Sequence, residues 1–380
     1  MSVTIADMAE IMADIAPPCL AEQWDNSGLQ VGQMDWPVKN VQIALDPLPE
    51  VVGSICREAD LLITHHPLIF KPLKTIDLRS PLGSVIDKAV RHKLGIFSAH
   101  TNLDSSAHGI NDYLAQKIGL RQLRVLGHEY KESLYKLSVY VPVEKEHDVL
   151  NALFETPAGT IGNYTCCSFR NYGTGTFRPG KAATPYSGEI NAVSQTQEVR
   201  IEAQVLKKDI DLVIRYLRKH HPYETMAYDI FPLDTPSPDQ NNLHQDKKQG
   251  LGRVGILDTP TDLKSFALKI KHLLGIQNLK FAGRPDLAIN TAALCSGSGS
   301  SLMKQFFSSG AQVYISGDLH YHDARDVESA GLGLIDIGHF ASEHLMVDVL
   351  ANRLKEIITE RNMKVQIEAF KHEKDPFVYL

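Results

Sequence analysis

Four short apolar runs in this chain end in side chains of the kinds that hold metal ions. Leu61-Leu62-Ile63-Thr64 leads into His65-His66-Pro67, and Ser98-Ala99 into His100 and then Asp104. Gly317-Asp318-Leu319-His320-Tyr321-His322 and Gly338-His339-Phe340-Ala341-Ser342-Glu343 repeat the composition. Mixed imidazole and carboxylate donors suit Zn, Mn, Fe, Co or Ni better than Ca or an all-oxygen Mg site. Adjacent side chains on an extended backbone point to opposite sides, so His65 and His66 would not readily chelate one ion and could serve two neighbouring ones. His339 and Glu343, four apart at the start of an amphipathic helix, share one side of it. Two metals about 3.5–4 Å apart that share a carboxylate can make a water nucleophilic at neutral pH. The expectation is a two-metal site of His65, His66, Asp104, His339 and Glu343 holding two divalent ions, zinc first, with Fe, Mn, Co or Ni as alternatives. His100, Asp318, His320 and His322 stay open between metal ligand, hydrogen-bonding partner of a ligand and substrate contact. His92, His108, His128, His147, His244, His272, His344 and His372 read as histidines without a catalytic role.

Elements must bring these residues together. Val41–Leu45, Leu61–Thr64, Gly95–Ala99, Thr291–Leu294, Val313–Ser316 and Leu334–Ile337 read as buried strands alternating with helical patterns, hence an α/β sheet. Such sheets place ligands outside the carboxyl ends of their strands, where the four segments could converge on one crevice. Thr4 with Asp7 resembles a capping box, followed by Ile5, Met8, Ile11, Met12 and Ile15 on one helical face. The middle of the chain has another rhythm. Lys136–Pro142 and Glu198–Leu206 alternate as strands, Glu144–Glu155 and Asp209–His221 are helical, and Met226–Leu233 is a last strand. Tyr164–Arg170 and Thr174–Arg178 flank Asn171-Tyr172-Gly173 like a hairpin, which completes the β-α-β-β-α-β order of a ferredoxin-like α+β unit. The polar stretch 234–249 then reads as a linker. The organisation expected is a split α/β domain, 1–127 with 250–380, around an inserted domain at 128–233.

Two loops are less specific. Cys295–Ser301, with Ser298 and Gly299 at its centre, follows a strand and precedes a helix; it could bind an anion such as phosphate or be a plain turn. Trp24, in a segment of turn residues running to Gly32, would wall the crevice or cap the core.

The net charge of −6 gives no electrostatic footprint for nucleic acid, so nucleic acid is not an expected partner. No apolar stretch is long enough to span a bilayer, so no membrane partner is expected. Five scattered cysteines without a C-x-x-C pair fit a reducing cytoplasm.

Together, Trp24–Gly32, Ile63–Pro67, Ser98–Asp104, Gly317–His322 and Gly338–Glu343 resemble the GTP cyclohydrolase type 2 homologue family, also called NIF-three-like. The resemblance covers the whole chain. The middle segment, with His221-Pro222-Tyr223-Glu224 and Ala227-Tyr228-Asp229, is similar to the PII-like or CutA-like insertion of long bacterial members. The resemblance implies a dinuclear centre whose ligands map onto His65, His66, Asp104, His339 and Glu343, and a homohexameric toroid whose openings the inserted domains cover. It further implies hydrolytic opening of a guanine imidazole ring with release of formate, the substrate being a nucleotide or related small molecule. A metal hydroxide is chemically suited to that attack on carbon, with a histidine such as His320 or His322 as proton donor. A non-catalytic metal-binding or regulatory hexamer is the second reading.

Overall fold

The computed structural model describes residues 2–127, 134–233 and 249–378, and the chain divides into two compact units, Met1–Tyr130 with Asp246–Leu380 and Lys131–Gln245. The expected linker at 234–249 falls almost wholly outside the described residues, as do His128 and His244.

The first unit is built on two sheets where the sequence suggested one. The first has the strand order Gly28–Val31, Gly95–Ser98, Leu61–Thr64, Asn40–Ala44, Gln366–Ala369. All neighbours are parallel except Gly28–Val31, which runs antiparallel to Gly95–Ser98. Every residue of Leu61–Thr64 and Gly95–Ser98 is buried, which is why these strands read as continuous apolar runs. The second sheet has the order Lys280–Ala282, Gly333–Asp336, Val313–Gly317, Ala288–Ser298, Arg253–Asp262, Leu120–Val125. Its three central strands, from Gly333–Asp336 to Ala288–Ser298, are parallel and the rest antiparallel.

The two sheets share a plan. Each has three parallel strands in sequence order, with an antiparallel edge strand on the third. Register equates them: Leu61 lies opposite Gly95 as Val313 lies opposite Gly333, and Thr64 opposite Ser98 as Ser316 opposite Asp336. Each is preceded by a capped helix. Ile5–Ile15 is closed by the Thr4–Asp7 box and buries Ile5, Met8, Ile11, Met12 and Ile15, as its periodicity predicts; Leu263–Leu274 is capped by Asp262. Each third strand runs into a short helix, Thr101–Ser105 or His339–Glu343, then a longer one, Ile110–Lys117 or Leu345–Glu360. The halves then exchange strands, since Leu120–Val125 joins the second sheet and Gln366–Ala369 the first.

The second unit is one four-stranded antiparallel sheet in the order Phe169–Phe177, Ser194–Leu206, Leu134–Pro142, Tyr228–Leu233, with helices Glu146–Phe154 and Ile210–His220. The element order is the expected β-α-β-β-α-β, but the hairpin is not where the sequence suggested. Asn171, Tyr172 and Gly173 lie inside one continuous strand, opposite Arg200, Val199 and Glu198. Ladder pairing overrides their turn preference, and the chain reverses between Phe177 and Ser194 instead. The helices close the sheet through Val149, Leu153, Val213 and Leu217.

At the junction between the units, the chain leaves the first unit and re-enters it at one place. Leu126 N–H donates to Gly252 O at 3.2 Å and Gly127 N–H to Leu251 O at 2.9 Å.

Candidate metal centre

His65 and His66 stand directly after Leu61–Thr64, and the short helices that follow Gly95–Ser98 and Gly333–Asp336 carry Asp104, His339 and Glu343. The carboxyl ends of strands from both sheets therefore meet at one cluster. Three overlapping groups have donor atoms within 4.8 Å of one another: His65, Asp104 and Glu343; His66, His339 and Glu343; and His65, His66 and His100. All five expected ligands are in them.

Each imidazole is held by its Nδ1. His65 is fully buried and its Nδ1 lies 2.9 Å from Ala99 O. The corresponding partners are Asp46 Oδ1 for His66 at 2.7 Å, Asp25 Oδ1 for His100 at 2.8 Å and Asp318 Oδ2 for His339 at 2.7 Å. Such partners fix the ring and raise the donor strength of the other nitrogen, the arrangement typical of metal-binding histidines. For the three expected histidine ligands the free nitrogens meet at carboxylates. Glu343 Oε2 lies 2.9 Å from both His66 Nε2 and His339 Nε2, while Glu343 Oε1 and Asp104 Oδ1 lie 3.5 and 3.7 Å from His65 Nε2. His65 Nε2 is buried without a hydrogen-bond partner. A buried orphaned imidazole nitrogen facing two buried carboxylates fits a cation between them.

The electrostatics agree. Burial would push Glu343 up, but the imidazoles around it, His65 foremost, hold it well below the usual carboxylate range. Burial raises Asp104 despite His65 beside it, with Glu343 adding to the rise. Burial opposes charge on His66, yet its bonds to Asp46 and Glu343 push it up to about 10. The bond to Glu343 raises His339 to about 9. Three neighbouring imidazoles held toward their charged forms by carboxylates make a site in which a cation can take the place of protons.

Backbone shape keeps the space. Gly297 has φ +63°, and a Cβ there would lie 2.2 Å from Glu343 Oε1; Ser342 Oγ accepts the Gly297 N–H at 2.9 Å. Ser296 Oγ donates to Asp104 Oδ1 at 3.0 Å. The Cys295–Ser301 loop thus turns its groups inward. Its Ser296 amide is also taken, by Asn111 Oδ1, and Gly299 O accepts from the Tyr314 hydroxyl at 2.8 Å. The structure departs from both readings of that segment: Cys295–Ser298 is the end of the Ala288–Ser298 strand, and the chain turns only at Gly299, into the short helical turn Ser300–Leu302. No hydrogen bond involves the Ser298 side chain among the described residues.

His320 and His322 are not brought to the cluster. His320 precedes the Tyr321–Ser329 helix, its N–H donating to Asp323 at 2.9 Å and its ring 2.9 Å from Ser300 Oγ; His322 is exposed, with its ring against Tyr321. Trp24 walls the centre rather than capping the core: 58% exposed, it meets His100 edge-on at 6.0 Å between ring centroids, with Phe70 5.8 Å away. Asp46, Asp25 and Glu373 were not anticipated. Asp46 follows the Asn40–Ala44 strand as His66 follows Leu61–Thr64, two residues past the end, so the strand-end rule would have found it. Glu373 gave no such signal; its carboxylate accepts the Leu45 and Asp46 amides at 2.8 and 2.9 Å from the far end of the chain. A cavity of about 720 Å³ opens beside the cluster, lined by His66, Asp318, His339, Lys280 and Phe340 and by the tail residue Phe377.

Residues 3–376 match the family Duf34/NIF3 (NGG1p interacting factor 3). The chain is 36% identical, over 100% of its length and 99% of the relative's, to the GTP cyclohydrolase 1 type 2 homolog of Bacillus subtilis (strain 168). Among solved structures, the Bacillus cereus protein related to NIF3 is 34% identical with a TM-score of 0.72, each chain covered in full. Staphylococcus aureus protein SA1388 is 29% identical with a TM-score of 0.75, over 100% of this chain and 99% of that one. Sequence, fold and the cluster of histidines and carboxylates at the strand ends agree: the chain belongs to the Duf34/NIF3 family.

Proposed function

We propose that this protein is a metal-dependent hydrolase that uses two divalent ions, zinc first, on a nucleotide or related small molecule. The observation that carries the reading is the division of donors around Glu343: one oxygen faces His65 with Asp104 nearby, the other faces His66 and His339. His65, Asp104 and Glu343 would hold one ion, and His66, His339 and Glu343 the other. Bound there, the pair would supply Lewis acidity and an acidified water for attack on an electrophilic carbon or phosphorus. Asp46, Asp318 and the Ala99 carbonyl orient the imidazoles. His100, paired to Asp25 beneath Trp24 and Phe70, is placed to exchange a proton with a planar substrate lying against those rings. The exposed His320 and His322 could take that role only at a site completed by a second copy of the chain. The names of the relatives and the volume of the cavity favour a nucleotide as substrate.

The same reading includes a homohexamer in the cytoplasm and a ferredoxin-like, PII- or CutA-like inserted domain. Among the described residues no helix is long and apolar enough to cross a membrane, and all five cysteines are free.

The test is elemental analysis of protein purified without added metal, together with a hydrolysis screen over GTP and other nucleotides. We expect about two metal ions per chain, and turnover lost with chelator and in His66→Ala. A folded protein without metal would overturn the centre. A fully loaded protein without turnover across the panel would replace hydrolysis by a storage or regulatory role. Light scattering checks the hexamer.

A further inference from the structure

The second unit holds a cavity of its own, about 340 Å³, formed within Lys131–Gln245. One wall is the end of the Phe169–Phe177 strand and the turn after it, another the loop that follows the Ile210–His220 helix. Aromatic rings form part of the lining. Phe177, Tyr186 and Tyr223 line it, the last two with ring centroids 5.9 Å apart. Glu198 and Glu224 supply carboxylates against a single lining cation, Arg178.

The polar groups are held in place. Tyr223 donates its hydroxyl to Glu198 Oε1 at 2.6 Å. The Tyr223 loop is pinned in turn by His221, whose Nδ1 accepts the Tyr223 N–H at 3.1 Å while its Nε2 donates to Tyr140 O at 2.9 Å. One nitrogen accepting and the other donating requires a neutral ring, and the burial that pushes His221 below its ordinary value keeps it so. Glu224 Oε2 accepts the Thr184 N–H at 2.7 Å, tying the opposite loop to this one. Gly175 leaves room for the acid, since a Cβ there would lie 2.2 Å from Glu198 Oε2.

Aromatic faces attract cations, and a carboxylate with one oxygen already bonded offers the other to an N–H donor. The geometry points to a binding site for a small organic cation, a guanidinium or ammonium on a short apolar body, with Glu198 as its counter-charge and Tyr186 and Tyr223 as its walls. Neither metal nor hydrolysis enters this assignment, so the site stands whatever the first unit does.

Isothermal titration of the full chain with agmatine, and with glutarate as the anionic control, tests it. We expect saturable binding of agmatine and none of glutarate. Glu198→Gln and Gly175→Ala should each weaken agmatine binding by about tenfold or more, while Tyr223→Phe, which keeps the ring, should weaken it less. Thermal unfolding of each variant separates lost binding from lost folding. No binding of agmatine up to about 10 mM, preferred binding of glutarate, or a folded Glu198→Gln protein with unchanged affinity would overturn the proposal.

Discussion

Four imidazoles turn toward one space in this protein, and each is turned by a different acceptor: a carbonyl for His65, and Asp46, Asp25 and Asp318 for the others. Asp46→Asn should therefore lower metal affinity by about 10–100-fold without removing a ligand, which competition with a chromophoric chelator measures. Glu343→Gln should cost more, because the two donor groups share that carboxylate, and elemental analysis should find both ions lost. The pH dependence follows from His66 and His339, raised to about 10 and 9. In the metal-free protein both are protonated at neutral pH, so uptake should release protons and apparent affinity should climb as pH rises toward 9. The stability these raised values give the metal-free fold is complete below the ordinary imidazole value near 6.5 and is lost as pH rises through 9 and 10. Denaturant midpoints of chelated protein across that window check the sign. The candidate ligands were legible in the sequence because metal-binding types follow buried apolar runs. Their partners were less so: an Asp in a loop has many uses, and only the fold shows that Asp25 lies under His100.

Elements with strong periodicity were legible for the same physical reason that they form. The capped helix Ile5–Ile15 shows its buried face in its spacing, and the parallel strands show their double burial as unbroken apolar runs. Edge strands lack either signal. Lys280–Ala282 is three residues long, and Gly28–Val31 is only half-buried and sits among turn residues. The hairpin misplaced at Asn171-Tyr172-Gly173 failed because local turn preference competed with a long ladder and lost. The segment Cys295–Ser301 reads in the sequence as an anion cradle or a plain turn, and the use of Gly297 in it is steric. Gly297→Ala would put a methyl group against Glu343 at a positive φ, so we expect about 1–2 kcal/mol of lost stability together with weaker metal binding. Urea unfolding and metal competition read the two effects separately, and His320→Ala should leave metal content intact.

At the scale of the molecule, the shared plan of the two sheets places the centre. His100 with Asp104 and His339 with Glu343 follow equivalent strands, each acid four residues past its histidine, so the two halves supply facing ends of one site. Along the sequence only that four-residue spacing marks the duplication, because burial preserves the pattern of strands and not the residues. The exchange of Leu120–Val125 and Gln366–Ala369 ties the halves together, and Arg253 fastens them. Fully buried, it bonds Asp112 and the carbonyls of Ser106, Gly250 and Gly252. Arg253→Ala takes the donor from three carbonyls and from the partly buried Asp112 carboxylate, and should cost about 3–5 kcal/mol in denaturant unfolding, whereas the exposed Arg325→Ala should cost under about 1.

The pairing of Gly127 with Leu251 has a consequence for how such a chain can grow. To the first unit, everything between those residues is a single loop whose ends already touch. Closing a loop costs only about 0.6 kcal/mol more for each doubling of its length. A short glycine-serine bridge in place of residues 129–248 should therefore leave metal content and cooperative unfolding of the first unit unchanged, as elemental analysis and calorimetry would record. The stability of the first unit is then nearly blind to what is spliced into it, and a sensor, a lid or a plain turn could occupy the same seam.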